Sequence, residues 1–196
     1  MPKAKENHKE SAHHRLLHAA ADLFYSDGIA ATGIDAIVKK AGVAKKSLYN
    51  NFESKADLVA QYLDIRHAEW IALYQARVAN AASPLARVMA VFEAYADHAE
   101  LEYDGGFRGC GLLNAAAEFP ATGTERQAIR AHKEEVEAIV YQHLLEYQPK
   151  QAARMQMMAR HLAFLLEGSI SRAGLEGCSD CIKEAQAMAQ ALLEAA

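Results

Sequence analysis

Between Thr32 and Leu58 the chain reads TGIDAIVKKAGVAKKSLYNNFESKADL, and this segment constrains the fold more tightly than any other. Ile34, Ile37 and Val38 recur at the spacing of one helix face, which predicts the buried side of a short helix. Ala41-Gly42-Val43 then predicts a tight turn. Gly42 can take the positive φ that such a turn needs, and the small Ala41 lets two helices approach. A second short helix follows from Ala44 to Asn51, with Leu48 facing inward beside Phe52. Helix, glycine turn and helix in so few residues make a helix-turn-helix.

Punctuation elsewhere points the same way. Leu16, Leu17, Ala20, Leu23 and Phe24 mark an amphipathic face that stops at Ser26-Asp27-Gly28, where Gly28 suits the left-handed position past a helix end. Thr32 with Asp35, Ser54 with Asp57 and Thr124 with Gln127 read as capping boxes. Ser83-Pro84 puts a capping hydroxyl before a proline at the first helical position. Stops fall at Gly105-Gly106, at Pro120 to Gly123, at Gln148-Pro149 and at Gly174 to Gly177. Cutting there predicts helices over residues 15–28, 33–40, 44–51, 54–80, 84–103, 107–118, 124–147, 150–173 and 179–195. No stretch alternates with the period of two that a strand requires, and no internal repeat is present. Only 4 Pro and 11 Gly interrupt the chain, while Ala and Leu, which lose little entropy in a helix, abound. The expected fold is all-α with about nine helices. An N-terminal three-helix domain with a polar arm occupies residues 1–56, and a helical domain occupies residues 57–196.

Charge is divided unevenly between these parts. Residues 1–60 carry nine Lys/Arg, among them Lys3, Lys5, Lys9, Lys39 and Lys40, against seven Asp/Glu; the remainder carries 12 against 18. A local basic patch on an acidic body suits selective binding of nucleic acid. No apolar run is long enough for a membrane span, and the first 15 residues lack the apolar core of a secretory leader. Three cysteines, an odd number, argue against a disulfide scaffold and fit a reducing cytoplasm, the expected location.

The second short helix presents Lys45, Lys46, Ser47, Tyr49, Asn50 and Asn51 to the outside. Lysines pair with phosphate or guanine, asparagine can pair bidentately with adenine, and hydroxyls position the backbone. Such a helix suits a DNA major groove. The bland reading of the same lysines is a solvated helix face; the glycine turn, the caps and the Tyr/Asn run together favour double-stranded DNA.

At this point the segment resembles the DNA-binding domain of the tetracycline-repressor (TetR) family. The resemblance is carried by Gly28, Thr32, Ile37, Ala41-Gly42-Val43, Ser47-Leu48-Tyr49, Phe52, Ser54-Lys55 and Leu58, in order and at matching spacing. It implies phosphate contacts from Thr32 and Lys55, a backbone contact from Tyr49, and groove contacts from Lys45, Lys46, Ser47 and Asn50, with Gly33 and Asn51 also in the DNA-binding set. Lys46 and the Asn50-Asn51 pair depart from commoner family residues, so no operator sequence carries over. It also implies a C-terminal domain that binds a small-molecule inducer, and a homodimer built on the last two helices. Met155, Met158, Leu162, Leu165 and Leu166, with Ile182, Ala185, Met188, Ala189, Leu192 and Leu193, are the seam candidates, some of which would serve the internal core instead.

For the inducer pocket, aromatic and polar residues of the second domain are the candidates: His67, Trp70, Tyr74, Phe92, Tyr95, His98, His132 and Phe164. Cys110, Asn114 and Glu118, four apart in FRGCGLLNAAAEFP, would share one helix face and either line the pocket or pack. Cys178-Ser-Asp-Cys181 is a CxxC, but with no second CxxC and no βαβ pattern it reads as a loop and helix start. A thiol sensor using Cys110 or the Cys178/Cys181 pair is the alternative to an inducer-binding regulator. His8, His13 and His14 read as solvated arm residues. No metal site, cofactor or enzyme signature is found, and His98 and Glu102, one helical turn apart, make only a common surface pair.

Overall fold

The computed structural model describes residues 11–101 and 103–195. The predicted N-terminal arm, with Lys3, Lys5, Lys9 and His8, lies outside them, as does Glu102. The described residues form nine α-helices and no strand. These are α1 (Ala12–Ser26), α2 (Ile34–Ala41), α3 (Lys45–Asn51), α4 (Lys55–Val78), α5 (Pro84–Ala99), α6 (Gly111–Ala117), α7 (Thr124–Tyr147), α8 (Ala152–Glu176) and α9 (Asp180–Glu194). The chain divides into two compact units between Tyr62 and Leu63, inside α4.

In the first unit α1 packs on α2 and α3. Leu16, Ala20, Ile37 and Leu48 are fully buried there, and Phe24 meets Tyr62 edge-on with ring centroids 5.4 Å apart. That contact explains why the first two turns of α4 belong with the short helices. Ser11 caps α1 by accepting the His14 N–H at 3.1 Å, so the helix starts three residues before the expected Arg15. His13 therefore sits inside α1 rather than in an arm, stacked on Phe52 at 4.7 Å and bonded to Gln61 at 3.0 Å.

Two of the expected capping hydroxyls cap as read. Ser54 Oγ accepts the Asp57 N–H and Ser83 Oγ accepts the Ala86 N–H, both at 3.1 Å. Two do not. Gly33 and Gly123, not Thr32 and Thr124, occupy the caps of α2 and α7.

In the second unit one core is shared by α4, α5, α7, α8 and α9, with Trp70, Phe92, Val140, Leu144, Met155, Leu162 and Ile182 at its centre. The expected helices 84–103 and 107–118 are shorter, ending at Ala99 and starting at Gly111. Gly109 has φ +87°, which no helix tolerates, and packs directly against α8 at Gly174. Gly174 is thus a site of close approach inside α8 and not a stop; the helix runs to Glu176 and ends at left-handed Gly177.

Candidate nucleic-acid interface and ligand pocket

Gly42 adopts φ +62°, and its N–H bonds Lys39 O while the Val43 N–H bonds Val38 O. This double closure ends α2 and turns the chain directly into α3. Leu48 anchors α3 from beneath and Phe52 follows it into the core, so the opposite face is left outward. Lys45, Lys46, Tyr49 and Asn50 are exposed, Tyr49 at 56%, and Ser47 and Asn51 are half-buried. Asn51 donates to Ser47 O at 2.7 Å. Lys45 pairs with Asp35 at 2.8 Å across the turn, and the carboxylate's hydrogen bond and charge raise the ammonium pKa. Exposed pairs of this kind are weak, so the ammonium can exchange Asp35 for a phosphate.

Thr32 does not join this surface. Its side chain is buried, its hydroxyl donates to Gly28 O at 2.6 Å and lies 3.2 Å from Leu23 O, and its N–H is taken by Gly28 O. The expected phosphate contact from Thr32 is replaced by a lock between the end of α1 and the start of α2. Gly33, exposed at the α2 start, remains next to it. Lys55 is half-buried and donates to Ile29 O at 2.6 Å, which leaves two of its N–H groups for another acceptor.

In the second unit the pocket candidates separate into groups. Trp70 gathers one: Tyr74 stacks on it at 5.5 Å, Tyr95 lies at 5.0 Å and His132 at 5.9 Å, with His67 4.1 Å from His132. Phe92 is fully buried in the same core. The Trp70 indole N–H and His132 Nδ1 are buried without a hydrogen-bond partner among the described residues. Burial, then the nearby Lys133 charge, push the His132 pKa down to about 3, so the ring is neutral at physiological pH. His98 belongs to a second group, 2.8 Å from the buried Arg66, which also donates to the Tyr103 hydroxyl at 3.0 Å. Burial lowers the His98 pKa despite Glu69.

Asn114 and Phe164 are not brought into either group. Asn114 is exposed and donates to Arg108 O at 3.1 Å, so it tethers the loop before α6. Phe164 is 65% exposed on α8. It borders an open groove of about 800 Å³ between α7 and α8, with Leu113, Lys133, Tyr141, Ala159 and Glu167 also on its walls. Cys110, half-buried at the start of α6, accepts from Lys133 Nζ at 3.5 Å. No three or more His, Cys, Asp or Glu side chains are placed to hold a metal ion among the described residues. None of the described helices is long and apolar enough to cross a membrane.

Residues 16–62, most of the first unit, match the family model for bacterial regulatory proteins of the TetR family. Over 88 residues the chain is 38% identical to the HTH-type transcriptional repressor KstR2 of Mycobacterium tuberculosis, a match covering 42% of this chain and 44% of that one. The chain thus spans less than half the length of the curated relatives it matches. Among solved structures it superposes on SCO4454, a TetR-family transcriptional regulator from Streptomyces coelicolor, with a TM-score of 0.81 and 30% identity. That superposition covers 93% of this chain and 87% of the Streptomyces protein. The chain belongs to the TetR family.

A TetR-family structure from Streptomyces avermitilis, 28% identical with a TM-score of 0.72, covers 92% of this chain and 98% of its own. The family's N-terminal helix-turn-helix and helical C-terminal domain correspond to the two units, and residues 16–62 of the first are the part that matches the family model. Within this TetR-family chain, four polar residues of the second unit went unread in the sequence: Arg66, Tyr103, Lys133 and Glu167. Arg66 and Glu69 pair at 2.8 Å three residues apart, a spacing visible in the sequence. Lys133 and Glu167 meet at 2.9 Å across α7 and α8, which no local spacing signals.

Proposed function

We propose that the chain is a ligand-responsive repressor that binds a pseudo-palindromic operator as a homodimer and is released by a small molecule. Residues 1–56 carry the DNA contacts and residues 57–196 carry ligand binding and dimerisation. The observation that supports this best is the outward polar face of α3, seated by Leu48 and Phe52 on a closed three-helix core. Lys45, Lys46, Ser47 and Asn50 reach base edges or groove phosphates. Tyr49, Asn51, Gly33 and Lys55 position the backbone.

Dimerisation is supported by apolar side chains that the protomer leaves uncovered. Met157, Phe164 and Leu175 on α8 and Met188 and Leu192 on α9 are 38–84% exposed. Of the seam candidates, Met155, Leu162, Leu166, Ile182, Ala185, Ala189 and Leu193 are internal core, so the seam uses the other faces of the same two helices. Operator binding by such a dimer requires its two α3 helices to stand about 34–36 Å apart, one DNA turn.

The inducer pocket is the Trp70 group. The Trp70 indole N–H and His132 Nδ1 are buried there without a partner among the described residues, so an apolar ligand that carries an uncharged polar group gains by meeting them. The ligand releases DNA by binding more tightly to a conformer whose recognition helices are misplaced. Selection from a random-sequence duplex pool at about 0.15 M salt tests the reading. An enriched inverted repeat with half-site centres about 10 bp apart is expected. A motif without symmetry refutes the dimer, and absence of any motif refutes operator binding.

A further inference from the structure

Lys45 opens α3, the helix whose outward face carries the candidate base contacts, and its ammonium is already engaged. Asp35 Oδ1, in the first turn of α2, lies 2.8 Å from Lys45 Nζ. Both side chains are open to solvent, Asp35 at 82% and Lys45 at 54%, so the pair forms at the surface and not in the core. Asp35 is not used as a cap: Gly33 occupies the cap position of α2, with no side-chain bond to it. The hydrogen bond and charge of Asp35 raise the Lys45 pKa, so the ammonium keeps its proton. The next ammonium along, Lys46, has no such partner among the described residues. Two neighbouring lysines at the start of one helix are therefore in opposite states, one tied to a carboxylate and one untied.

The tie alters which acceptors suit Lys45. An ammonium has three N–H donors, of which Asp35 takes one and leaves two. A guanine edge offers the uncharged acceptors O6 and N7, which the remaining donors can serve while the ion pair stays closed. A phosphate instead brings a second anion to the same ammonium beside the first, and like charges at that range repel. Asp35 thus subtracts from the sequence-independent attraction to phosphate and leaves base-edge pairing intact. We propose that Asp35 is a specificity-determining residue for DNA, which by holding Lys45 turns that ammonium from phosphates towards a base edge. It lowers binding to unrelated sequence more than binding to the operator. Asp35 acts through Lys45, as a positioning residue. The inference rests on the operator-binding reading above and adds a residue outside its contact set.

The experiment repeats the random-duplex selection with the full chain as parent, Asp35→Asn, Lys45→Gln and the double variant. Each is then titrated with the parent's selected duplex and with a scrambled duplex of the same composition. Both side chains are exposed, so neither change disturbs a packed contact. Lys45→Gln is expected to flatten one base position in each half-site, and Asp35→Asn to weaken the preference at that same position. In Asp35→Asn the ratio of selected to scrambled affinity falls about threefold per half-site, about tenfold for the dimer, chiefly through tighter binding of the scrambled duplex. The double variant shows the Lys45→Gln motif, since Asp35 has no ammonium left to hold. A carboxylate that merely repelled DNA would, on removal, tighten both duplexes equally and leave the motif unchanged; that result in Asp35→Asn overturns the proposal. A Lys45→Gln motif identical to the parent's, or a further change of motif in the double variant, overturns it too. These outcomes leave operator binding standing, whereas a parent that enriches no motif defeats operator binding and the proposal together.

Discussion

Replacing Gly174 by alanine sets two effects on one helix against each other. In an exposed helix interior the change would gain about 1 kcal/mol, because glycine loses more backbone entropy. Here the added Cβ would lie 2.6 Å from Gly109 Cα and N and 2.7 Å from the Arg108 carbonyl carbon. All three are backbone atoms, so no flexible side chain can swing out of the way, and Gly109 already meets Ile170 O on the same face of α8. Overpacking of this kind costs about 2–3 kcal/mol, at the upper end of its usual range, and leaves a net loss of about 1–2 kcal/mol. For a chain of this size that lowers Tm by about 2–8 °C. Gly168, on the same helix, has nothing within 4 Å of an added Cβ, so Gly168→Ala should gain about 0.5–1 kcal/mol in the protomer. Urea unfolding of both variants measures the difference, with light scattering confirming that each assembles like the parent. If Gly174→Ala proves as stable as Gly168→Ala, the close approach of the loop to α8 is refuted.

Other perturbations test separate parts of the account. Ser54→Ala removes the oxygen that accepts the Asp57 N–H and should cost about 1 kcal/mol in urea unfolding; unchanged stability would remove the cap from the argument. His132, held neutral by burial with a pKa of about 3, stays unprotonated in the folded chain where the unfolded chain takes up a proton. Its contribution is complete above the unfolded value near 6.5 and shrinks as pH falls towards 3, by at most about 2 kcal/mol between pH 6.5 and 5. His98 and His143, also lowered by burial, act in the same direction. His132→Asn should flatten the profile measured by urea unfolding, and an unchanged slope would contradict the assignment. Phe164→Asp with Met188→Asp places charge on the uncovered faces of α8 and α9 and should yield folded monomer by analytical ultracentrifugation; an intact dimer would move the seam elsewhere.

Local chemistry was legible in the sequence where a residue acts on its own neighbours. Gly42 announced its left-handed turn, Ser54 and Ser83 their caps, and Leu48 with Phe52 the inward face of α3. Thr32 misled because a threonine three residues before an aspartate satisfies the capping pattern, yet its hydroxyl had carbonyls closer at hand across the turn. Gly174 misled for a related reason: a glycine late in a helix looks like a stop, and only the tertiary approach of Gly109 reveals its use. Of the residues read as pocket candidates, the structure gathers the Trp70 group in the core, whereas Asn114 and Phe164 fall on outward faces that helical periodicity alone did not distinguish. Met155 and Leu162 were indistinguishable in sequence from a dimer seam, since core and seam demand the same apolar spacing. Lys133 meeting Cys110 and Glu167 depends on three helices at once, so no local pattern foretold it.

The claim that α3 reads operator bases is tested most directly by repeating the duplex selection with Asn50→Ala and comparing its motif with the parent's. The account predicts a relaxed preference at one position in each half-site, symmetric about the operator centre, with a cost of about 1–3 kcal/mol for the parent's preferred duplex. A motif identical to the parent's at every position, with unchanged affinity, would contradict base reading by this residue and with it the proposed placement of α3 in the groove.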